Sequence, residues 1–280
     1  HEVSGDGQRA AAPGAGRHGV EVSHLIAQFT WLRENGYRPV SLAEVEKARA
    51  GGKPLPPKAV LLSFDDGYAD FHTRVYPVLK LFGYPAVIAL VGSWMDAPAG
   101  AQVDYDGQKL PREAFMSWAQ VREMVASGLV EVASHSYALH HGVLGNPQGN
   151  RQPAATTRIY DPATGSYESD AAYRARIRDD LQRNLRLIER ETGKAPRAMV
   201  WPYGRYNREL REAAASRGMT IGLTLDDGAN MADTPLWGLR RILVDRSMGL
   251  WELNREIDIR NQNLSDNSRP QKAMHVDLDY

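Results

Sequence analysis

The sequence predicts an α/β fold built on parallel strands, and three observations lead to this prediction. Helical patterns repeatedly end near a glycine and are followed at once by a β-rich segment, as in NGYRPVSL, FGYPAVIAL, SGLVEVASH and RGMTIGLTL. Most of these β-rich segments are almost continuously apolar, which is typical of strands covered on both faces. The chain has 280 residues, a length at which α/β barrels often form a single domain. Alternation of helix and strand then indicates a parallel sheet or barrel.

Six apolar runs are predicted as strands, at residues 59–64, 86–91, 130–134, 198–201, 220–225 and 239–244. The helices between them have recognisable starts. Ser117 and Gln120 form a capping-box pattern, Asn207 precedes RELREAAAS, and Ser169 precedes a long segment with helical periodicity. Two polar insertions, residues 93–112 and 142–170, interrupt the pattern, and we expect them at the rim of the barrel.

Composition excludes several classes of function. Lys plus Arg and Asp plus Glu both total 34, so no bulk charge attracts nucleic acid or an anionic membrane, and a neutral or weakly charged partner is expected. The chain has no cysteine, which excludes disulfides, thiolate metal ligands and a cysteine nucleophile. The longest uncharged apolar run, PAVIALVG, is too short to cross a bilayer, so no transmembrane segment is predicted.

Polar residues cluster directly after the predicted strands. DDGYAD follows the first strand, HSYALHHG the third, PYGRYN the fourth and DDGAN the fifth. The carboxyl ends of parallel strands converge on the ligand site of an α/β fold, so these side chains should meet at one mouth. This convergence favours an enzyme over a structural protein.

Asp65 and Asp66 stand side by side at the end of the first of these strands. Adjacent carboxylates repel each other, so stability alone rarely places them there, although a turn that caps the next helix is the simpler alternative. One Asp with His135 and His140 would give an oxygen and two nitrogen ligands with open positions, which suits Zn²⁺ or a similar divalent ion. The two histidines are about 140° apart on an ideal helix, so they require a strand end and a loop, and His141 is the alternative to His140.

The three motifs SFDDG, HSYALH and WPYG occur in this order at strand ends. With them the sequence resembles the polysaccharide deacetylases of carbohydrate esterase family 4, which carry a NodB homology domain. Longer stretches, WLRENGYRPVSLAEV, KPLPPKAVLLSFDDGYADF and AMHVDLDY, are similar to family members that N-deacetylate poly-β-1,6-N-acetyl-D-glucosamine, a biofilm exopolysaccharide. The resemblance implies an irregular (β/α)7-type barrel, circularly permuted, and the hydrolytic release of acetate from this polymer.

The resemblance also implies roles for the matching residues. Asp65 would be the general base, and one divalent metal ion would be held by Asp66, His135 and His140. The backbone N–H of Tyr203 would bind the oxyanion. Zinc, nickel, cobalt and iron all remain candidates for the metal, because affinity order and availability decide which ion occupies such ligands.

Three positions depart from the family pattern. The late strand LRRILVD offers no catalytic-acid histidine, and in permuted members the matching residue lies at the start of the chain, which here is His1. The arginine expected before the third motif is absent, which leaves Arg240 and Arg241 as candidates to tune the general base. LTLDDG matches the fourth motif only loosely, so Asp226 and Asp227 are interpreted as a turn.

Aromatic residues are frequent at the predicted mouth, and some of them are expected to stack on sugar rings. The candidates for substrate binding are Tyr68, Trp94, Tyr137 and Trp201. Trp201 ends an apolar strand, so a place in the core is the equal alternative for it.

Residues 1–260 are predicted to form the deacetylase domain. Residues 261–280 read as a polar linker and the first strand of a truncated second domain, which in similar proteins is a glycoside hydrolase. The chain begins at His1 rather than at a methionine, which indicates a processed or trimmed piece. The resemblance implies a periplasmic location and leaves open an outer-membrane anchor on the full-length protein.

Three other functions are less compatible with these residues. A barrel-type glycoside hydrolase needs two carboxylates that face each other across the bond, whereas neighbours such as Asp65 and Asp66 splay apart. A non-catalytic carbohydrate-binding module needs only aromatic residues and would leave the metal ligands without a purpose. A 2-His-1-carboxylate iron oxygenase normally has an antiparallel scaffold. Chelator sensitivity and acetate release would separate all three from a deacetylase.

Overall fold

The computed structural model describes residues 3–4, 20–245 and 248–266. His1, predicted as the catalytic acid, and the predicted strand at residues 273–280 lie outside the described residues. Within the described part of the chain, no helix has both the length and the apolar character needed to cross a bilayer.

The strands, in chain order, are β1 Val3–Ser4, β2 Val20–Glu21, β3 Arg38–Pro39, β4 Ala59–Val60, β5 Leu62–Phe64, β6 Ala86–Leu90, β7 Gln102–Tyr105, β8 Gln108–Pro111, β9 Val130–Ser134, β10 Gly142–Leu144, β11 Arg151–Pro153, β12 Tyr160–Asp161, β13 Ser166–Tyr167, β14 Ala198–Val200, β15 Ile221–Thr224 and β16 Leu239–Arg240. The α-helices are α1 Val22–Glu34, α2 Leu42–Arg49, α3 Tyr76–Phe82, α4 Gly92–Met95, α5 Trp118–Ala126, α6 Asp170–Thr192, α7 Arg208–Ala215 and α8 Leu250–Asp266. A π-helical turn spans Phe71–Val75, and short 3-10 turns span Arg112–Ala114, Pro202–Gly204 and Leu236–Gly238.

A six-stranded sheet with the order β16-β15-β14-β9-β6-β5 forms the centre of the molecule. Every neighbouring pair in it is parallel, and the spatial order follows the chain order, so the strands are joined by crossover connections. The sheet curls into a parallel half-barrel, which confirms the predicted α/β barrel class. The circular permutation depends on His1 and stays a prediction.

All six predicted strands are present, and most are shorter than predicted. The first is divided, because β4 pairs with β3 in a separate two-stranded sheet while β5 joins the central one. The last contains only β16, at the edge of the sheet, where pairing with β15 covers two residues. Strand limits depend on which neighbour is available for hydrogen bonding, and the apolar runs do not carry that information.

The predicted helix starts are confirmed. Ser117 and Gln120 form a complete capping box at α5. The side chain of Ser169 accepts a hydrogen bond at the start of α6, and that of Asn207 does the same at α7. Along α6 the buried face carries the predicted apolar repeat of Ile177, Leu181, Leu185 and Ile188. Helix and sheet therefore bury one another as the periodicity predicts.

The two polar insertions are more regular than predicted. The first contains α4 and the antiparallel hairpin β7–β8, and the second contains the hairpins β10–β11 and β12–β13. The first hairpin turns at Asp106 and Gly107, which both have positive φ. Asp-Gly is a strong sequence signal for a two-residue hairpin turn, so this hairpin is predictable from the sequence.

Helix α8 runs across the predicted domain boundary. It extends from Leu250 to Asp266, so the segment predicted as a linker from residue 261 is helical at its start. The division into residues 1–260 and 261–280 stays a prediction.

Candidate active site

The two adjacent carboxylates point in different directions. Strand β5 ends at Phe64, and Asp66 adopts a positive φ of 77°. Gly67 follows with φ 86°, and a Cβ there would lie 2.8 Å from the side chain of Leu90. A non-glycine residue with positive φ costs free energy and is commonly kept for a functional reason. Here the positive φ of Asp66 changes the direction of the backbone directly after Asp65, so the two side chains have different environments.

Asp66, His135 and His140 come together as the sequence predicted. Asp66 Oδ1 lies 3.7 Å from His135 Nε2 and 3.8 Å from His140 Nε2. One ligand atom from each residue lies within 4.8 Å of the others. His141, the alternative ligand, is exposed and is not part of the cluster found among the described residues. The spacing alone left this choice open.

The donor set fits a cation. Among the described residues, the buried Oδ1 of Asp66 has no hydrogen-bond partner. His135 Nδ1 lies 2.8 Å from the carbonyl oxygen of Val200, so this nitrogen carries the proton and Nε2 offers a lone pair towards Asp66. Burial, with the nearby His135, lowers the pKa of His140 to about 4, so this imidazole is uncharged at neutral pH. Lone pairs that converge on a buried carboxylate oxygen suit a divalent metal ion.

Asp180 anchors the loop between the two histidines. Its carboxylate accepts the backbone N–H groups of Tyr137 and Ala138, both at 2.7 Å. Ser136 begins the turn with φ 68°, and its side chain accepts the N–H of Leu139 at 3.1 Å. Consecutive N–H groups after a left-handed residue form an anion-binding nest, which Asp180 fills. Burial raises the pKa of Asp180 to about 6 despite these hydrogen bonds. Sequence reasoning missed this residue, because it lies on α6.

Arg241 is the partner of Asp65. Its guanidinium makes two hydrogen bonds to the carboxylate, at 2.8 and 3.0 Å, and a third to the hydroxyl of Ser63 at 3.2 Å. Burial alone would raise the pKa of Asp65, but the charge of Arg241 and the hydrogen bonds from its guanidinium outweigh it and hold the pKa well below its usual range. Arg240, the other candidate, is exposed and donates to the carbonyl oxygen of Ala229.

Tyr203 lies next to the metal-ligand cluster. Its ring centroid is 4.4 Å from that of His140, and its backbone has a positive φ of 57° inside the turn Pro202–Gly204. This places the third motif beside the second. Binding of an oxyanion by the Tyr203 N–H stays a prediction.

The predicted substrate-binding aromatics occupy different surroundings. Trp94 is 4% exposed and Trp201 is 1% exposed, and each donates its indole N–H to a backbone carbonyl oxygen. The hydroxyl of Tyr137 donates a hydrogen bond to the carboxylate of Asp96, the residue that follows α4. The ring of Tyr68 stacks on Phe115. Burial of Trp94 and Trp201 does not favour stacking on a sugar, because such contact would require both rings to be uncovered. Substrate binding by the four residues stays a prediction.

The second Asp-Asp-Gly sequence lies apart from the metal ligands. Asp226 accepts the hydroxyl of Tyr206 at 3.0 Å, and the largely exposed Asp227 pairs with Arg260 at 2.8 Å. Neither belongs to the cluster of possible metal ligands in the described chain. Their position agrees with the interpretation as a turn.

Together, the parallel sheet and this site define a class of protein. A histidine-histidine-aspartate set at the carboxyl edge of the sheet can hold a divalent ion, and a separate carboxylate, fixed by an arginine, stands next to it. This arrangement is suited to metal-assisted hydrolysis, in which one carboxylate binds the metal and another handles a proton.

The family model for polysaccharide deacetylase matches residues 52–222. The chain therefore belongs to the polysaccharide deacetylase family, as the motifs predicted. The matched segment includes the carboxylate pair, both histidines and Tyr203.

Relatives within this family are also found. The poly-β-1,6-N-acetyl-D-glucosamine N-deacetylase of Escherichia coli K12 is 43% identical over 261 residues, which are 93% of this chain and 38% of that protein. The BpsB deacetylase domain from Bordetella bronchiseptica has 47% identity and a TM-score of 0.78, covering 88% of this chain and 96% of that one. A de-N-acetylase from Aggregatibacter actinomycetemcomitans has 40% identity and a TM-score of 0.83, covering 91% and 97%. The sequence-based resemblance to N-deacetylases of poly-β-1,6-N-acetyl-D-glucosamine is confirmed.

Proposed function

We propose that this protein is a metal-dependent N-deacetylase that hydrolyses the acetamide groups of poly-β-1,6-N-acetyl-D-glucosamine and releases acetate. The observation that carries the proposal is the division of labour between the adjacent carboxylates, with Asp66 facing two histidines and Asp65 bound to Arg241. The E. coli relative, which is named for this reaction, supports the choice of substrate. The chain spans 38% of the length of that relative, so the activity of the whole protein is part of the proposal.

The geometry supports a role for each of these residues. Asp66, His135 and His140 would hold the divalent ion, which, when bound, lowers the pKa of a water molecule and polarises the acetamide carbonyl. Asp65 takes the proton from the attacking water, and its two hydrogen bonds with Arg241 fix the orientation of its carboxylate. A low pKa keeps Asp65 ionised, and therefore ready to accept a proton, across the neutral range.

Two further roles complete the proposed reaction. The backbone N–H of Tyr203 donates a hydrogen bond to the oxyanion of the tetrahedral intermediate, an interaction that typically contributes about 3–4 kcal/mol to the lowering of the barrier. His1 protonates the leaving amine, as its position in permuted family members implies. The products are acetate and a glucosamine unit.

The rival functions are less compatible with this site. A glycoside hydrolase would need Asp65 and Asp66 to face each other across a bond, but one carboxylate is bound to an arginine and the other is turned towards histidines. An iron oxygenase would leave the ion-paired Asp65 without a purpose. The same objection applies to a carbohydrate-binding module.

The decisive experiment measures acetate release from a β-1,6-linked N-acetylglucosamine oligomer by metal-stripped protein, with and without one added divalent ion. Asp65→Asn should abolish turnover while the protein retains about one metal ion per chain, and Asp66→Asn should lose the metal as well. Asp227→Asn is the matched control, because it changes an aspartate in the second Asp-Asp-Gly sequence, outside the site. A β-1,4-linked oligomer tests the linkage.

Two outcomes would contradict the proposal. If the oligomer binds but no metal supports acetate release, the chain is a binding module. If Asp65→Asn loses the metal and Asp66→Asn retains it, the two aspartate roles are reversed.

The partners and the cellular location of the protein are part of the same proposal. The neutral charge balance suits a neutral polymer rather than nucleic acid. We further propose a periplasmic location with an outer-membrane anchor, and a C-terminal glycoside hydrolase domain in the full-length protein that acts on the partly deacetylated polymer. Fractionation of cells that express the full-length protein tests the first, and cleavage of deacetylated polymer by the full-length protein tests the second.

A further inference from the structure

The hairpin β7–β8 lies against the metal-ligand cluster. It belongs to the first polar insertion, and three consecutive residues tie it to the site. The backbone oxygen of Asp104 accepts the indole N–H of Trp94 at 3.1 Å, and the side chain of Asp106 accepts the N–H of Gly142 at 3.3 Å. Tyr105, between them, reaches the metal-ligand cluster itself.

Tyr105 makes a direct contact with a predicted metal ligand. Its hydroxyl donates a hydrogen bond to Asp66 Oδ2 at 3.0 Å. Its ring is enclosed by aromatic neighbours, with centroid distances of 4.9 Å to Trp94, 5.8 Å to Tyr68 and 6.2 Å to His140. A tyrosine hydroxyl is protonated at neutral pH, whereas an ionised carboxylate can only accept, so Tyr105 is the donor in this hydrogen bond. The ring packing fixes the direction in which that proton is donated.

The two oxygens of Asp66 therefore have different environments. Oδ2 is occupied by the Tyr105 hydroxyl, whereas Oδ1 faces the two histidines and has no hydrogen-bond partner in the described chain. A free carboxylate can bind a metal through one oxygen or both. A hydrogen bond to one carboxylate oxygen favours metal binding through the other oxygen and fixes the plane of the carboxylate. Groups that hydrogen-bond to metal-ligating side chains usually orient them in this way.

We propose that Tyr105 is a positioning residue of the metal centre, whose hydroxyl holds Asp66 Oδ2 so that Oδ1 alone is presented to the metal. The inference rests on the metal site of the proposed function and does not depend on the identity of the substrate. Tyr105 contacts neither the polymer nor the reacting atoms in this account, and it acts through Asp66.

The test compares two tyrosine-to-phenylalanine variants. Tyr105→Phe removes the hydroxyl and keeps the ring that packs against Trp94. Tyr206→Phe is the matched control, because Tyr206 also donates its hydroxyl to an aspartate Oδ2 at 3.0 Å, but that residue, Asp226, is not in the metal-ligand cluster. Zn²⁺ affinity is measured by competition with a chromophoric chelator, using metal-stripped protein, and the ligand field is followed by the visible absorption of the Co²⁺-loaded protein.

We expect Zn²⁺ affinity to fall about 10- to 100-fold in Tyr105→Phe, which is the usual effect of losing a partner of a metal ligand. The Co²⁺ spectrum should also change, and Tyr206→Phe should match the wild type in both measurements. The unfolding temperature of the metal-free proteins separates a packing role from a positioning role. A lower unfolding temperature with wild-type affinity and spectrum would overturn the proposal, and so would unchanged values in all three measurements.

The outcomes also distinguish this inference from the proposed function. If the wild-type protein binds Zn²⁺ and Tyr105→Phe weakens that binding, the inference holds even when no acetate is released, and only the proposed function fails. If the wild-type protein releases acetate and Tyr105→Phe binds Zn²⁺ with unchanged affinity and spectrum, the inference fails alone. If the wild-type protein binds no divalent ion, both fail.

Discussion

Replacement of Arg241 by methionine should raise the pKa of Asp65 and move the pH dependence of the reaction. The guanidinium makes two hydrogen bonds to the carboxylate, and the two side chains are only 13% and 18% exposed. Methionine keeps much of the apolar stem of Arg241 and removes its charge. Burial, which by itself raises the pKa of Asp65, is then no longer offset by a bound cation.

The size of the shift follows from the contact. An arginine in contact with an aspartate typically lowers its pKa by about 1–3 units, and each unit corresponds to about 1.4 kcal/mol. Screening by solvent is limited here because both groups are largely buried. Arg241→Met should therefore raise the pKa of Asp65 by about 1–3 units. Burial, which remains in the variant, acts in the same direction as the loss of the cation, so the pKa of Asp65 should rise towards its ordinary range and not fall further.

The assay is the pH dependence of kcat/KM for acetate release at saturating metal. Asp65 must be ionised to accept a proton, so kcat/KM falls about tenfold for each pH unit below its pKa. The acid limb should move to higher pH by about 1–3 units in Arg241→Met. Arg240→Met is the control, because the side chain of Arg240 is directed to Ala229, and its profile should match that of the wild type.

One result would refute the reasoning. If Arg241→Met retains about one metal ion per chain and shows the wild-type acid limb, Arg241 does not set the proton affinity of the group that limits the reaction. Either the general base is a different residue, or the metal alone determines the protonation of Asp65.

Two further predictions concern packing and the histidine loop. Gly222→Ala should lower the free energy of unfolding by about 1–3 kcal/mol, because the new Cβ would overlap the carbonyl oxygen of Trp237. Urea unfolding should show little change in Gly238→Ala, where the nearest atom is 3.8 Å from the added Cβ, and equal losses in both variants would contradict the packing argument. Asp180→Ala should weaken Zn²⁺ binding about 10- to 100-fold by releasing the histidine loop. The exposed Asp179→Ala is its control in the same chelator competition, and equal affinities would show that the loop does not need this anchor.

Features that depend on local sequence could be predicted. The strands could be located because apolar runs, capping residues and glycines repeat along the chain, and their carboxyl ends then had to meet at one mouth. This reasoning predicted that one aspartate of the pair lies near His135 and His140, and the family resemblance assigned Asp66 to the metal. It could not decide between His140 and His141, because the left-handed Ser136 and the anchor on Asp180 determine where the loop turns.

Features that depend on contacts between distant segments were missed or left open. Arg241 is 176 residues from Asp65 in the chain, so the choice between it and Arg240 required the curled sheet. Tyr105 lies 39 residues from Asp66, and only the Asp-Gly turn beside it indicated a hairpin. The burial of Trp94 and Trp201 illustrates a further limit, because an aromatic residue after a strand can be core or binding surface, and the sequence pattern is the same in both cases.

The adjacent carboxylates are tolerated because the fold gives each of them a different partner. Arg241 offsets the charge of Asp65. Asp66 is 5% exposed and faces His140, whose pKa of about 4 leaves it uncharged at neutral pH, so this side chain provides no cation. The neutral hydroxyl of Tyr105 orients Asp66 without offsetting its charge. A buried carboxylate without a compensating cation costs several kcal/mol, so the retention of Asp66 beside two histidines supports the proposed metal site.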